Sequence, residues 1–512
     1  MSPLGGSRLA RNIAANLGGQ LAVLVLGLVA ARLIFSGLGQ EALGIVLFVL
    51  TFNLVLAGIL DFGFSSVTVR EVAAHVEDDP AYVRDLIRTA SSLYWATFAV
   101  AAGLLVLAAP WIATNWIHLQ AMSPDDASAV MRVLGVAALT ALPRAFYVSL
   151  FRGLQRMAFN NGIDAAIGAL QQFGIVLIVL RGGGLFSVVV WLASTYGFQI
   201  VVYWLVLARV ISPWALIPGW SGLVIRRNAR FSAHMLSISW LAAVHTYADK
   251  LVVSKLLSVA TFGWYTFATS IVARGALVTQ AIGDAAYPSL SKLFKENNRP
   301  AMVAQYRALQ DLVCFATFPL YAAIAYLTLP LLTAVFDRQV AIALLFPVAV
   351  LCLGYFMNGT LVMPYMYSLA VGKPQITSRL SLAAVFVVVP VTVAGVARFG
   401  VAGASLGYLS YHLFFYAVAV PRYCRDCLQV PTFSWYGQTA RVAVTGAVTY
   451  GLGWVVAWLT AGLAPIALAV AFVIASVMFS ILAIRLVDPG LRDAAVAVLR
   501  PGARRLIPRK AA

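Results

Sequence analysis

The stretch HTYADKLVVSKLL, residues 245–257, ends an apolar run over 233–257 that is long enough to cross a bilayer core of about 30 Å as a helix. Yet it carries Asp249, Lys250 and Lys255, and each charge at a helix centre costs about 2.5–3.5 kcal/mol to insert. Composition shows which solvent the run faces. Of 512 residues, 62% are hydrophobic and 11% charged, where a soluble chain would carry about 25% charge. The chain is expected to be an all-α polytopic membrane protein, so the three charges sit in a membrane helix and need a reason.

Outward from that run, apolar stretches of spanning length fall near 12–35, 41–62, 89–113, 128–151, 161–180, 185–208, 233–256, 260–283, 308–332, 340–369, 379–397, 401–420, 437–459 and 463–485. These are fourteen expected transmembrane helices. They are continuously apolar and do not alternate, which excludes barrel strands. The inner segments of an N-inside arrangement hold 27 of the 36 Lys and Arg, and the outer loops hold only Arg181, Arg338 and Arg398. That asymmetry predicts an even number of spans with both termini cytoplasmic. The net charge of +18 therefore reports topology, and with no basic soluble domain a nucleic-acid partner is not expected. The first apolar run lacks a clear cleavage site and is taken as a retained span. Cys314 and Cys352 lie in apolar spans as core thiols. The C-R-D-C at 424–427 is a weak metal or redox signal without a second pair.

Two stretches repeat. LGQEALGIVLF from Leu38 aligns with LSVATFGWYTF from Leu257, placing Gly44 opposite Gly263. EDDPAYVRDLIR from Glu77 aligns with ENNRPAMVAQYR from Glu296. Spans 7–12 thus repeat spans 1–6 in parallel, an arrangement that predicts two six-helix lobes around a central cavity. The expected division is an N-lobe over 1–208, a cytoplasmic inter-lobe loop over 209–232 and a C-lobe over 233–420. Two added spans over 421–485 and a basic cytoplasmic tail over 486–512 complete it.

Depth sorts the charges inside the spans. Arg32, Arg132 and Lys255 lie near outer ends, within snorkelling reach of the interface. Asp61 and Asp284 lie near inner ends, where pairing with basic loops is the simpler role. Arg144, Asp249, Lys250 and Arg274 are deep, and Asp164 is one turn inside the inner edge. Asp249 and Lys250 point about 100° apart and Lys255 about 140° beyond Lys250, so one stripe cannot hold all three. Asp249 shares a face with His245, and Arg144 follows Pro143, where a kink is expected. More deep cations than anions point to an anionic ligand such as a phosphate. The competing account is a buried salt bridge from Lys250 to Asp249 or Asp164.

The motifs R-N-I-A-A-N-L-G-G-Q from Arg11, L-D-F-G-F-S-S-V-T-V-R-E from Leu60, F-R-G-L-Q-R-M from Phe151, A-D-K-L-V-V-S-K-L-L from Ala248 and Y-P-S-L-S-K-L from Tyr287 occur in order over about residues 8–420. Together they resemble the polysaccharide-exporter branch of the multidrug/oligosaccharidyl-lipid/polysaccharide exporter superfamily. The resemblance implies a bacterial inner-membrane flippase for undecaprenyl-diphosphate-linked oligosaccharides, working by alternating access, with a cationic cavity. The deep cations Arg144, Lys250 and Arg274, with Arg32, are the substrate-binding candidates, and Asp249 and Asp164 the ion-coupling candidates; the resemblance matches the Asp249–Lys250 position, where relatives often carry an Asp-Arg or Asp-Lys pair. Its partners would be the lipid-linked oligosaccharide, membrane lipids, a polysaccharide polymerase and a chain-length regulator. No cofactor, metal or enzyme activity is expected, since no nucleophile, metal cluster or phosphate loop is present. A lipid II flippase of peptidoglycan synthesis and a drug/cation antiporter are the alternatives. G-Q-E-A-L-G-I-V at the start of span 2 argues against the first, and the deep Arg and Lys against the second.

Overall fold

The computed structural model describes residues 23–489 and 492, with the side chains of His234, Ile238, Ala242 and His245 set aside. The N-terminal motif at 11–20, the basic tail beyond 492 and the face shared with His245 lie outside the described residues. The chain is an all-α polytopic membrane protein, with no strand among the described residues. It divides into two compact units, Met1–Thr266 and Phe267–Ala512.

Unit 1 begins with α1 (Val23–Leu38). It continues with α2 (Gln40–Leu60), α3 (Phe64–His75), α4 (Pro80–Asn115), α5 (Pro124–Ala138), α6 (Ala141–Gly153), α7 (Met157–Leu180), α8 (Leu185–Val210), the single turn α9 (Pro213–Leu216) and α10 (Gly222–Leu256). The boundary falls inside α11 (Val259–Ala273). Unit 2 then holds α12 (Ala276–Lys295), α13 (Arg299–Val335), α14 (Arg338–Ala370), α15 (Gln375–Phe399), α16 (Val401–Phe414), α17 (Val420–Tyr423), α18 (Thr432–Ala461) and α19 (Pro465–Ala483). π-helical turns at Phe415–Ala419 and Cys424–Leu428 flank α17.

Within the described residues, the expected spans fall on one helix or on consecutive helices. Ten, counting α5 and α6 as one, are long and apolar enough to cross a membrane. The other four are α1, described only from Val23; α10, which carries the charges of the opening stretch; the broken α11–α12; and α16, which runs into a π turn.

The breaks have local causes. The α5–α6 break at Leu139–Thr140 lies one turn before Pro143, whose ring excludes the carbonyl four residues back and which has no N–H to offer it. Between α2 and α3 the chain turns through Gly63 at φ +68°, where a Cβ would lie 2.6 Å from the Ser232 carbonyl oxygen. The carbonyls freed there are met by α10: Trp240 Nε1 donates to Ile59 O at 2.8 Å and Ser232 Oγ to Phe62 O at 2.5 Å.

The two repeated loops fold alike. Asp79 caps α4 by accepting from Tyr82 N, Asn298 caps α13 by accepting from Ala301 N, and each helix has proline in its first turn. The helices that follow run 36 and 37 residues. The aligned glycines also meet. A Cβ on Gly44 would lie 2.2 Å from the Val259 carbonyl oxygen, and one on Gly263 would lie 2.8 Å from Gly44 Cα.

Unit 2 packs differently. Phe315, Phe318, Tyr450 and Phe479 stack between α13, α18 and α19. α15 and α16 close on glycines, where a Cβ on Gly403 would meet the Gly395 carbonyl oxygen at 1.9 Å. Lipid offers no hydrophobic drive between helices, so such close contact of small residues and rings carries the association.

Candidate functional site

The first cluster is built from three helices of unit 1. α7 presents Asn160 and Asp164, and α8 presents Gln199 and Tyr203; each pair is four residues apart and so shares a face. α7 packs on α8, and α6 brings Arg144 in just past the proline break. Arg144 clasps Asp164 with both arms of its fork, Nε to Oδ1 at 3.2 Å and a terminal nitrogen to Oδ2 at 2.7 Å. Gln199 Nε2 donates to Oδ1 at 3.0 Å, and Tyr203 Oη lies 2.9 Å from the same oxygen. Tyr203, Gln199 and Asn160 are buried, whereas the Arg144 and Asp164 side chains are 34% and 30% exposed. The pair is thus fixed from behind and open in front.

The second cluster is the opening stretch. Asp249 is buried and accepts from Tyr265 Oη of α11 at 2.8 Å. Lys250 does not point away from it. Its ammonium bends back to the same carboxylate, 3.2 Å from Oδ2, with only 12% of the side chain exposed. The geometry is that of the buried salt bridge, with Asp249 as the partner. Lys255 ends α10 by donating to Asn115 O at 2.6 Å, beside the Trp116 ring, and so caps the free carbonyls of α4. Arg32 is exposed on α1, and Arg274 is exposed at the α11–α12 break, in unit 2. Arg132 donates to Val106 O at 3.3 Å. Asp61 accepts from Tyr94 Oη at 2.7 Å and from Ser65, and Asp284 accepts from Gln280 at 2.9 Å. The four cysteines are buried thiols, and no group of side chains suited to a metal occurs among the described residues.

Sequence reasoning missed a third cluster, at the end of the L-D-F-G-F-S-S-V-T-V-R-E motif. Glu71 is buried between α3, α4 and α10. Arg70 lies 2.6 Å away, Tyr82 Oη donates at 2.9 Å, and His75 and Arg227 stand within 4.0 Å. Asn228 bridges Arg70 and Tyr82, and the Arg70 and Arg227 guanidiniums cover the Phe231 and Tyr82 rings. Burial pushes the Glu71 carboxyl up, but the hydrogen bonds from Tyr82 and Arg70 and the charges of Arg70 and His75 outweigh it and hold it below its usual value. The motif therefore encodes the α2–α3 turn and its anchor on α10. The missed partners Asn160, Gln199 and Tyr203 did have a signal, polar residues four apart on otherwise apolar spans.

Comparison with known proteins agrees with this architecture. The family model described as "Polysaccharide biosynthesis protein" matches residues 29–342. A Shigella flexneri protein named "Putative O-antigen transporter" is 22% identical over 403 residues, covering 78% of this chain and 93% of its own. Among solved structures, an inward-facing multidrug-resistance MATE transporter of the MOP superfamily superposes with a TM-score of 0.66 at 13% identity, covering 80% of this chain and 95% of its own. The lipid II flippase MurJ in an inward closed conformation also gives 0.66, at 11% identity, covering 91% of this chain and 98% of its own. At such identity these two establish the fold alone.

Proposed function

Because the chain belongs to the family described as "Polysaccharide biosynthesis protein", we propose that it flips undecaprenyl-diphosphate-linked oligosaccharide repeat units from the cytoplasmic to the periplasmic leaflet by alternating access. The reading places it in the bacterial inner membrane with both termini in the cytoplasm. A polysaccharide polymerase and a chain-length regulator would act beside it on the delivered glycan.

The observation that carries this reading is the Arg144–Asp164 pair, bidentate yet about a third exposed. Two non-bridging oxygens of a diphosphate accept a guanidinium fork as the two oxygens of a carboxylate do, so it can take the Arg144 fork from Asp164. The carboxylate so released must be recharged by a proton or a metal cation, because an unpaired charge inside the membrane is costly. One exchange then binds substrate and loads the coupling ion. Asp249 remains the second coupling candidate, but its pair with Lys250 is almost wholly buried and is not open to the same exchange. Arg32 and Arg274 are exposed and add candidate contacts for anionic groups of the substrate.

The likeness to the lipid II flippase supports a second reading, transport of a peptidoglycan precursor. Deleting the gene separates the two. Loss of surface polysaccharide with lipid-linked repeat units held on the inner leaflet is the expected result. Arrested wall synthesis with intact surface polysaccharide would favour lipid II, and unchanged glycan with altered drug tolerance would favour antiport.

A further inference from the structure

In unit 2, three turns converge around a cavity of about 460 Å³. One joins α12 to α13, one follows α14, and one ends the π turn Cys424–Leu428, where Gln429 takes a left-handed φ of 52°. Two cations line the cavity, Arg299 at the first position of α13 and Lys373 after α14. Neither has a carboxylate partner among the described residues. Arg299 donates to Leu428 O at 2.9 Å and to Gln429, and Lys373 donates to Asp426 O at 2.6 Å. Asp426 also lines the cavity, but its carboxylate is taken by Arg425 at 2.7 Å, which with the charge of Lys373 holds it below the usual carboxylate range. Two positive charges therefore remain over, with three N–H groups of the guanidinium and two of the ammonium still unused. One side of the cavity is apolar: Met302 and Tyr367 are buried behind it, and Phe294 is half exposed at its rim.

We propose that this pocket is a phosphate site, filled by the phosphodiester headgroup of an anionic membrane lipid. The unused donors match phosphate oxygens, and the apolar rim suits the glycerol and first acyl carbons. The pocket opens at the end that carries Lys292, Lys295 and Arg422, the end the basic residues assign to the cytoplasmic leaflet. A soluble phosphate would share the donors and leave the rim unused. The proposal does not rest on the transported substrate.

Native mass spectrometry of the full-length protein, titrated separately with phosphatidylglycerol, phosphatidylethanolamine and inorganic pyrophosphate, tests it. Phosphatidylglycerol should bind at least about fivefold tighter than phosphatidylethanolamine. Each cation removed should weaken the tightest phosphatidylglycerol by about fivefold, so R299Q/K373Q should lose about 25-fold. The charge-preserving swap R299K/K373R should keep most of the binding. Since both residues also hold carbonyls, K373Q alone is the variant to read if the double does not fold. Equal binding of the two lipids, unchanged phosphatidylglycerol binding in a folded K373Q or R299Q/K373Q, or pyrophosphate saturating the site as tightly as the lipid would each overturn the assignment.

Discussion

Arg144 and Asp164 meet from different helices with about a third of each side chain exposed, whereas Asp249 and Lys250 are consecutive residues of one helix and almost wholly buried. The charges are alike and the consequences are not. The first pair is backed by Gln199 and Tyr203, so its carboxylate keeps partners if the guanidinium leaves. The second has Tyr265 on its carboxylate and the Thr246 carbonyl, at 3.5 Å, by its ammonium. Removing one member of a buried pair leaves an uncompensated charge, and that loss is large. Exposure thus separates a pair that can exchange from a pair that holds α10 together.

The comparison breaks most visibly at Asp249. Asp249→Ala leaves the Lys250 ammonium buried without its carboxylate and should destabilise the protein by roughly 3–5 kcal/mol, so membrane abundance should collapse. Adding Lys250→Ala should restore much of it. Full abundance of the single variant on immunoblots would show the pair is not closed.

Arg144→Ala should act the other way round. Abundance should change by less than about twofold, because Asp164 is partly solvated and keeps two neutral partners, while glycan export should fall about tenfold or more through loss of a charge-assisted bidentate contact. Arg144→Lys should fall between, since an ammonium cannot fork. Equal losses of abundance and export would erase the distinction between the pairs.

A smaller effect belongs to Glu71. Its carboxyl sits below the usual 4.5 in the folded protein, so its stabilisation is complete above that value and is lost as pH falls through the lowered one. The difference in melting temperature between wild type and Glu71→Gln should stay constant above about pH 5 and shrink below about 4.5. A difference that grew on acidification would reverse the sign of the argument. Lys255→Ala, at the end of α10, should change abundance least, by about 0–1 kcal/mol.

Much of this was legible in the chain, and the failures are specific. Length and hydropathy located the ten helices that are long and apolar enough to cross a membrane, and Pro143 announced the α5–α6 break. The Asx caps and prolines before α4 and α13 matched because a helix start is a local device. The expected span 41–62 ends at the Gly63 turn, but the break at Arg274–Gly275 inside 260–283 passed unseen, since apolar runs report length and say nothing of continuity. Lys250 shows a different limit. Helical periodicity gives the direction of Cα–Cβ, and a four-carbon stem can swing its ammonium back across about 100° to the preceding residue. Glu71 was hidden because its partners Tyr82 and Arg227 lie 11 and 156 positions along the chain. The aromatic packing of unit 2, by contrast, leaves no polar pattern to read.

The central claim is that substrate diphosphate and Asp164 compete for Arg144. The most direct test is the affinity of purified protein for an undecaprenyl-diphosphate oligosaccharide, measured for wild type, Arg144→Ala and Asp164→Asn. Arg144→Ala should weaken binding by about tenfold to a hundredfold. Asp164→Asn frees the guanidinium and should bind more tightly than wild type while export fails. Weakened binding in Asp164→Asn, or wild-type affinity in Arg144→Ala, would contradict the exchange.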